Sequence, residues 1–273
     1  MTAATVLTCC ASVPGLASAT EGAVPQGYVL VWSDEFDTGA MPDPEKWTYD
    51  TYRNSAGWWN NELQYYSHAR PENSRIENGV LIIEARREDL SPEAFPDWGG
   101  QAYTSARLHT HERASWTYGY FEVRAKLPCG YGTWPAIWAL PDDPREWPED
   151  GEIDIMEHVG QSEGKIHGAV HTRDYNHVAG TQKMASVELA DPCGTFHVYT
   201  LHWTAEAIRI GVDGRVYFTH RNTGEGYGAW PFDRPYHLLL NIAIGGWGGG
   251  GSIDDSIFPV RFEIDYVRVW QAP

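Results

Sequence analysis

The chain has 273 residues and is acidic, with 20 lysines and arginines against 37 aspartates and glutamates and a formal net charge of −17. This charge argues against a nucleic-acid partner or an anionic membrane surface. Hydrophobic residues make up 42% of the chain, which excludes a disordered acidic protein because a core can form.

Aromatic residues and turn formers are abundant. The chain holds 13 tryptophans and 15 tyrosines, whose apolar faces and polar edges suit both cores and surfaces that meet half-polar ligands such as sugars. It also holds 28 glycines and 17 prolines. This composition favours many turns and short strands over long helices.

The N-terminus has the pattern of a secretory signal. Residues 6–19 are apolar or small and end in Ala17-Ser18-Ala19, which suits signal peptidase. We therefore expect a signal peptide at residues 1–19, a short tail at 20–26 and a secreted protein, extracellular or periplasmic. Basic residues before the apolar run are missing, so a mis-assigned start codon and a disordered tail are alternatives.

The rest of the chain predicts one domain over residues 27–271, because it contains no linker, low-complexity tract or repeat. It also lacks an uncharged apolar run of about 18 residues, so we expect no membrane span. Cys129 and Cys193 each precede a glycine in a turn-like stretch. In an oxidising compartment they can pair, although the sequence does not give the distance between them.

Strand-like runs follow one another along the chain. Residues 120–127 alternate with a period of two, which is typical of a half-buried antiparallel strand. Turn signals separate the runs, among them Asn78-Gly79, Asp213-Gly214 and the glycine-rich residues 245–251. The predicted fold is all-β: a β-sandwich jelly roll of two packed, curved antiparallel sheets with a concave substrate cleft.

The segment Gly151-Glu-Ile-Asp-Ile-Met-Glu-His158 is the most informative one. Glu152 and Asp154 share one strand face, but strict alternation would send Glu157 into the core, where an unpaired carboxylate costs several kcal/mol. A β-bulge around Met156 resets the register and returns Glu157 to the face of the other two acids. We therefore predict three carboxylates on one face.

Such a cluster suits a retaining glycosidase. On a concave sheet the carboxyls of Glu152 and Glu157 can approach to roughly 5–6 Å, which is too close for the water of an inverting enzyme. Asp154 between them helps to separate the pKa values of the two glutamates. The alternative is a solvated acidic face without chemistry, but three acids on one strand without basic partners are poor for stability.

Longer segments around this strand carry a family resemblance. They include Leu30-Val-Trp-Ser-Asp-Glu-Phe36, Asn61-Glu-Leu-Gln-Tyr-Tyr66, Gly132-Thr-Trp-Pro-Ala-Ile-Trp138 and Trp147-Pro-Glu-Asp-Gly-Glu-Ile-Asp-Ile-Met-Glu157. The last segment carries one residue more than strict alternation between Glu152 and Glu157 requires. In this form the chain resembles bacterial laminarinases, endo-β-1,3-glucanases of glycoside hydrolase family 16. The resemblance implies that Glu152 is the nucleophile, Glu157 the acid/base and Asp154 the residue that hydrogen-bonds to the nucleophile and tunes it.

The resemblance also implies a set of substrate-binding residues: Asn60, Arg107, Trp134, Trp138 and His171. The alternative for each tryptophan is core packing, and for Asn60 and Arg107 a structural polar role. Trp59, where many relatives carry glycine, and the loop 245–251 are departures from the family pattern that we expect to border the cleft.

Two sets of residues are candidate metal ligands. His167, His171 and Glu157 form a possible zinc trio, but without a helix-borne His-Glu-x-x-His the signal is weak. The resemblance implies a structural calcium ion at Glu35, Gly79 and Asp265, far from the cleft, because oxygen ligands suit that hard cation. No cofactor is expected for catalysis.

The sequence thus predicts a secreted, monomeric endo-hydrolase of β-1,3-glucans that acts by a retaining double displacement. Four alternatives stay open: a mixed-linkage β-1,3-1,4-glucanase, a galactan hydrolase, a non-catalytic β-glucan-binding lectin and, on the zinc trio, a metal hydrolase. The intact Glu152, Asp154 and Glu157 argue against the lectin.

Overall fold

The alternating pattern of residues 120–127 folds as the strand Gly119–Lys126. Its apolar positions, including Phe121 and Val123, are buried in the core. Tyr120, which alternation places on the opposite face from Phe121, is nevertheless only 1% exposed. Its hydroxyl donates to the carbonyl of Gly22 at 2.8 Å, and its ring packs edge-on against Trp270. A tyrosine can satisfy its polar end in this way while the ring is buried.

The computed structural model describes residues 22–143, 145–249 and 252–273, and these ranges contain 17 strands. The strands are β1 (Val29–Asp34), β2 (Thr48–Tyr49), β3 (Gln64–Tyr66), β4 (Ser74–Glu77), β5 (Val80–Arg87), β6 (Tyr103–Ser105), β7 (Arg107–His109), β8 (Gly119–Lys126), β9 (Thr133–Pro141), β10 (Glu152–His158), β11 (Lys165–His171), β12 (Lys183–Glu188), β13 (His197–Trp203), β14 (Ala207–Val212), β15 (Arg215–Arg221), β16 (Tyr236–Ile244) and β17 (Val260–Gln271). Single-turn 3-10 helices lie at Trp59–Asn61, Gly160–Ser162, Gly246–Gly248 and Asp255–Ile257. No helix within these ranges is long and apolar enough to cross a membrane.

The strands form two sheets. The ten-stranded sheet follows the order β15-β14-β13-β8-β17-β5-β6-β3, with β1 added to β17 and β4 to β5. The seven-stranded sheet follows the order β12-β11-β10-β9-β16-β7-β2. The predicted all-β sandwich is confirmed. Its sheets are antiparallel except where β3 and β6 pair in parallel, a detail that the sequence prediction lacked.

The core lies between the two sheets. Each sheet contributes one face of apolar side chains, among them Ile137, Ile153 and Leu240 from the seven-stranded sheet and Val123, Tyr199 and Phe262 from the ten-stranded sheet. Complete burial of each such side chain contributes about 1.5–3 kcal/mol. Because residues alternate along a strand, the neighbours of the core residues on β9, β10 and β16 point away from the core, where the site lies.

Two further predictions concern the ends of the chain and the cysteines. The predicted signal peptide, residues 1–19, lies outside the described residues, whereas Gly22 of the predicted tail is held by Tyr120. The structure joins Cys129 and Cys193 by a disulfide, with their Cα atoms 5.8 Å apart. This bridge links the chain just after β8 to the chain just before β13, its neighbour in the sheet.

Candidate active site

The predicted bulge in β10 is confirmed. Asp154 and Glu157 of β10 face Ala169 and His167 of β11, so two residues of β10 lie opposite one residue of β11. The register towards β9 also shifts by one residue, between Asp154 and Met156. This extra residue is what returns the third acid to the face of the first two.

The bulged residues show why the chain adopts this geometry. Ile155 and Met156 are both buried in the core together with Ile153. The bulge therefore places two adjacent apolar residues, Ile155 and Met156, in the core beside Ile153 and keeps the carboxylates on the cleft side. Glu152, Asp154 and Glu157 all line one cleft.

Each of the three acids has its own polar partner. The indole Nε1 of Trp147 donates to Glu152 at 3.0 Å, and that of Trp134 donates to Glu157 at 3.0 Å. His171 Nε2 lies 3.3 Å from the Asp154 carboxylate. Oxygens of Glu152 and Asp154 and a ring nitrogen of His171 all lie within 4.8 Å of one another.

Burial in this cluster raises the pKa of all three carboxyls. It raises that of Glu157 well above its ordinary value, with the charges of Asp154 and Glu152 adding to the effect. Burial, followed by the charge of Asp154, raises the pKa of Glu152 to about 8, and burial raises that of Asp154 to about 7. The charge of His171 and the hydrogen bond from Trp147 lower the pKa of Glu152. Three acids in such proximity titrate as a unit and do not all ionise together.

The cleft has a volume of about 500 Å³, within the usual range for ligand sites. Four of the predicted sugar-binding residues line it: Asn60, Arg107, Trp134 and Trp138. The two tryptophans lie on the same face of β9 and are partly exposed, so they are available as platforms. Their contact with sugar stays a prediction.

Hydrogen bonds and ring contacts fix the floor of the cleft. Trp138 donates to the Asn241 side chain at 2.7 Å, and Asn241 donates to the hydroxyl of Tyr66 at 3.0 Å. Arg107 lies 3.0 Å from Asp50, and its guanidinium is 4.6 Å from the centre of the Trp138 ring. The floor is therefore held in position before any ligand binds, which lowers the entropic cost of binding.

Comparison with known proteins identifies the family. The family model described as Glycosyl hydrolases family 16 matches residues 61–268. The chain belongs to glycosyl hydrolase family 16. The family predicted from the sequence motifs is thus confirmed, and the protein is a glycoside hydrolase.

Individual relatives of this family 16 hydrolase cover most of its length. It is 51% identical over 254 residues to a β-glucanase of Rhodothermus marinus, a match that covers 89% of this chain and 85% of the relative. It is similar to the crystal structure of SCLam, a non-specific endo-β-1,3(4)-glucanase from family GH16, with a TM-score of 0.89, 54% identity and coverage of 92% and 94% of the two chains. A serine variant of SCLam matches at the same TM-score and identity over 91% of this chain and 96% of that one, and presents 1,3-β-D-cellobiosyl-glucose at its active site.

His171 and His167 take separate positions in the family 16 hydrolase. His171 packs beside Trp147 and His177 with its nitrogen on Asp154, so it supports the carboxylates from β11. His167 packs against Trp247, 4.8 Å between ring centres. Among the residues that the structure describes, His167, His171 and Glu157 form no group of converging ligand atoms. The zinc trio, the less favoured alternative, does not form, because the two histidines contact different neighbours.

The residues predicted for calcium lie on the ten-stranded side of the hydrolase. Both oxygens of the Glu35 carboxylate accept from Arg268, at 2.9 and 2.7 Å, and Asp265 accepts from Arg124 at 2.5 Å. Gly79 lies in a turn with a φ of 76°. Arginines pair with both carboxylates, so a calcium ion bound by these side chains would have to displace Arg268 and Arg124.

Several cleft residues of the hydrolase had no role in the sequence prediction. Trp147, His177 and Asn241 all line the cleft or its rim. Trp147 begins the segment 147–157 that carries the family resemblance, but its bond to Glu152 depends on the path of the loop before β10. Trp59, expected at the border, does line the cleft, with the guanidinium of Arg53 4.3 Å from its ring centre.

Proposed function

We propose that the protein is a retaining endo-glucanase of laminarin-like β-1,3-glucans and of mixed-linkage β-1,3-1,4-glucans. The observation that carries this proposal is the bulge that places Glu152, Asp154 and Glu157 together in one tryptophan-lined cleft. Glu152 acts as nucleophile, and Glu157 acts as acid and then as base.

The two steps follow from the positions and proton affinities of the two glutamates. Glu157, whose pKa burial raises well above its ordinary value, gives its proton to the glycosidic oxygen while a Glu152 oxygen attacks the anomeric carbon. The bond to the leaving sugar breaks and a glycosyl ester forms on Glu152. Glu157, now ionised, takes a proton from water, whose oxygen attacks the same carbon and releases Glu152. Two inversions retain the anomeric configuration.

The neighbours of the two glutamates assist at different stages. Trp147 and His171 favour the ionised Glu152 that attacks, because both lower its pKa. Trp134 favours the ionised Glu157 that remains after proton transfer, because its hydrogen bond lowers the pKa of that carboxyl. Asp154, between the two, discourages simultaneous ionisation of both glutamates.

Activity on two linkage types is supported by the relatives. SCLam is described as a non-specific endo-β-1,3(4)-glucanase and is 54% identical to this chain. Flat indole rings form the floor of the open cleft. Such a floor accepts both β-1,3 and β-1,4 linkages, because stacking depends on the face of a sugar ring more than on the position of a particular hydroxyl.

The assignment of roles is tested with Glu152→Gln and Glu157→Gln on laminarin and on a mixed-linkage glucan. Both variants should fold and lose nearly all release of reducing sugar. Anomeric NMR of wild-type products should show the β-anomer first. Azide should rescue the acid/base variant Glu157→Ala with a β-glycosyl azide and the nucleophile variant Glu152→Ala with an α-glycosyl azide. Full activity in either glutamine variant would contradict the roles, and binding of both glucans without turnover by the wild-type protein would support a lectin instead.

Location, assembly and calcium stay proposals. We propose secretion with cleavage after Ala19, which N-terminal sequencing of the mature protein tests, and a monomer, which light scattering tests. A calcium ion near Glu35, Gly79 and Asp265 is supported by the sequence resemblance alone. An unchanged melting temperature after removal of calcium by a chelator would contradict it.

A further inference from the structure

A group of histidines lies on the face of the seven-stranded sheet that carries the cleft, away from the catalytic acids. On β7 and β16, Arg107 is opposite Asn241, and His109 is opposite Leu239. By alternation, His237 on β16 points to the same side as Asn241, which lines the cleft. His237 therefore continues the cleft floor beyond Arg107.

Three ligand atoms converge at this end of the floor. His237 Nδ1 lies 3.7 Å, and His111 Nε2 lies 4.0 Å, from Oδ1 of Asp142. Each of the three residues offers one ligand atom within 4.8 Å of a ligand atom of the other two. Tetrahedral bonds of about 2.0–2.1 Å to zinc separate neighbouring ligand atoms by roughly 3.3 Å. The three atoms therefore need to move together by less than an ångström to share one ion.

Two of these atoms have no hydrogen-bond partner within residues 22–143, 145–249 and 252–273. His237 is 7% exposed, and its Nδ1 forms no hydrogen bond; nor does the buried Oδ1 of Asp142. A buried polar atom without a partner is costly, so its presence requires an explanation such as an ion or a water. His111 Nε2 donates to the backbone carbonyl of Asp142 at 2.8 Å, a bond that a metal ion would replace.

The charged neighbours of the three residues decide whether a cation can bind between them. Histidine binds metal through its neutral imidazole ring. Arg107 is close, but Asp50 at 3.0 Å offsets its charge. His109 Nδ1 accepts a hydrogen bond from the His111 backbone amide. That nitrogen is therefore occupied, and His109 is a neighbour of the site and not one of its ligands.

We propose that His111, Asp142 and His237 form a binding site for a divalent transition-metal ion, with Zn²⁺ as the best fit, at the end of the cleft floor. Two imidazole nitrogens and one carboxylate oxygen are ligands that zinc prefers, and they leave a fourth position open to water or to a sugar hydroxyl. His111 and Asp142 are each about one-third exposed, which gives the ion a path from solvent. Leu140, opposite His237 on β9, lines the cleft, so the ion would adjoin the sugar path.

The test is Zn²⁺ titration by calorimetry on the full chain without a histidine tag. Glu152, Asp154 and His171 also have ligand atoms within 4.8 Å of one another, so the experiment must separate the two groups. The variants are His111→Ala and Asp142→Asn for the proposed site, Glu152→Gln for the catalytic group, and His197→Ala as a matched control. His197 pairs with Asp213 at 2.6 Å on the other sheet.

The wild-type protein should bind one Zn²⁺ that also raises the melting temperature. Loss of one ligand should weaken zinc binding at least about 10-fold, because even the loss of a residue that only hydrogen-bonds to a metal ligand lowers metal affinity by about that factor. Glu152→Gln and His197→Ala should leave it unchanged. Unchanged affinity in both His111→Ala and Asp142→Asn, or loss of zinc only in Glu152→Gln, would overturn the proposal. Neither result bears on glucan hydrolysis, which is measured separately without added metal.

Discussion

The indole of Trp134 donates a hydrogen bond to the carboxyl of Glu157, 3.0 Å from Nε1 to Oε1. Trp134 is on β9 and Glu157 follows the bulge of β10, so this contact exists only because the bulge brings Glu157 to the cleft face. One side chain thus combines a partly exposed flat ring, the predicted platform for a sugar, with a hydrogen-bond donor to the proposed acid/base. The two roles can be separated by substitution.

Trp134→Phe keeps an aromatic ring and removes the donor. The hydrogen bond lowers the pKa of Glu157, so its loss should raise that pKa further and move the alkaline limb of the pH–rate profile to higher pH. The carboxylate left after proton donation loses a hydrogen bond worth about 1.5 kcal/mol, so kcat should fall about 10-fold. Trp247→Phe is the matched control, since Trp247 packs edge-on against Trp134. An unshifted alkaline limb in Trp134→Phe would contradict the role of this bond.

His171→Gln tests the other glutamate. The charge of His171 lowers the pKa of Glu152, so removal of the imidazole should raise that pKa. Because Glu152, as the proposed nucleophile, must be ionised to attack, the acid limb of the profile should move to higher pH and activity at pH 5 should fall the most. His177→Gln serves as control, because His177 packs on His171 without an ion pair to Asp154. The measurement is kcat/KM between pH 4 and pH 9, and a shift towards lower pH would contradict the prediction.

The register of the strand with the three acids could be predicted from the sequence, because burial of an unpaired charge in the core is too costly. Glu157 cannot point into a core beside Ile153, and a bulge is the small change that avoids it. The strands around it followed from period-two alternation, as β8 shows with Phe121 and Val123. Local sequence patterns were sufficient to predict a strand wherever one of its faces had to be apolar and the other polar.

Other features depend on contacts between distant segments, which alternation does not specify. The bond from Trp147 to Glu152 requires the loop before β10 to fold back over the strand. The burial of Tyr120 depends on a carbonyl at Gly22, and the separation of His167 from His171 depends on Trp247 and Asp154. Each of these is decided by tertiary packing.

The disulfide should contribute to stability. Cys129 and Cys193 are separated by 64 residues in the sequence, and closing a loop of that length in the unfolded chain predicts a stabilisation of roughly 4 kcal/mol. The double variant Cys129→Ala, Cys193→Ala should lose about 2–4 kcal/mol in urea unfolding and keep its activity in the folded state. The reduced wild-type protein is the control and should unfold at the same urea concentration as the double variant. Equal stability of the oxidised and reduced proteins would contradict this role.

The pair of Arg107 and Asp50 should couple stability to substrate binding. Burial raises the pKa of Asp50 and Arg107 lowers it, so loss of the arginine leaves a buried carboxylate without its partner. We expect Arg107→Leu to cost about 3 kcal/mol in the free energy of unfolding. In the double variant with Asp50→Asn, much of this loss should be recovered, because no charge remains to be paired.

Activity in the same variants separates structure from sugar binding. If Arg107 contacts sugar, the double variant should recover stability while its KM for laminarin stays raised, since Asp50→Asn cannot replace the guanidinium. Arg107→Lys keeps the charge but not the planar fork beside Trp138, so its KM should lie between those of the wild-type protein and Arg107→Leu. The measurements are urea unfolding and initial rates on laminarin. Recovery of KM together with stability in the double variant would show that Arg107 only supports the fold of the cleft.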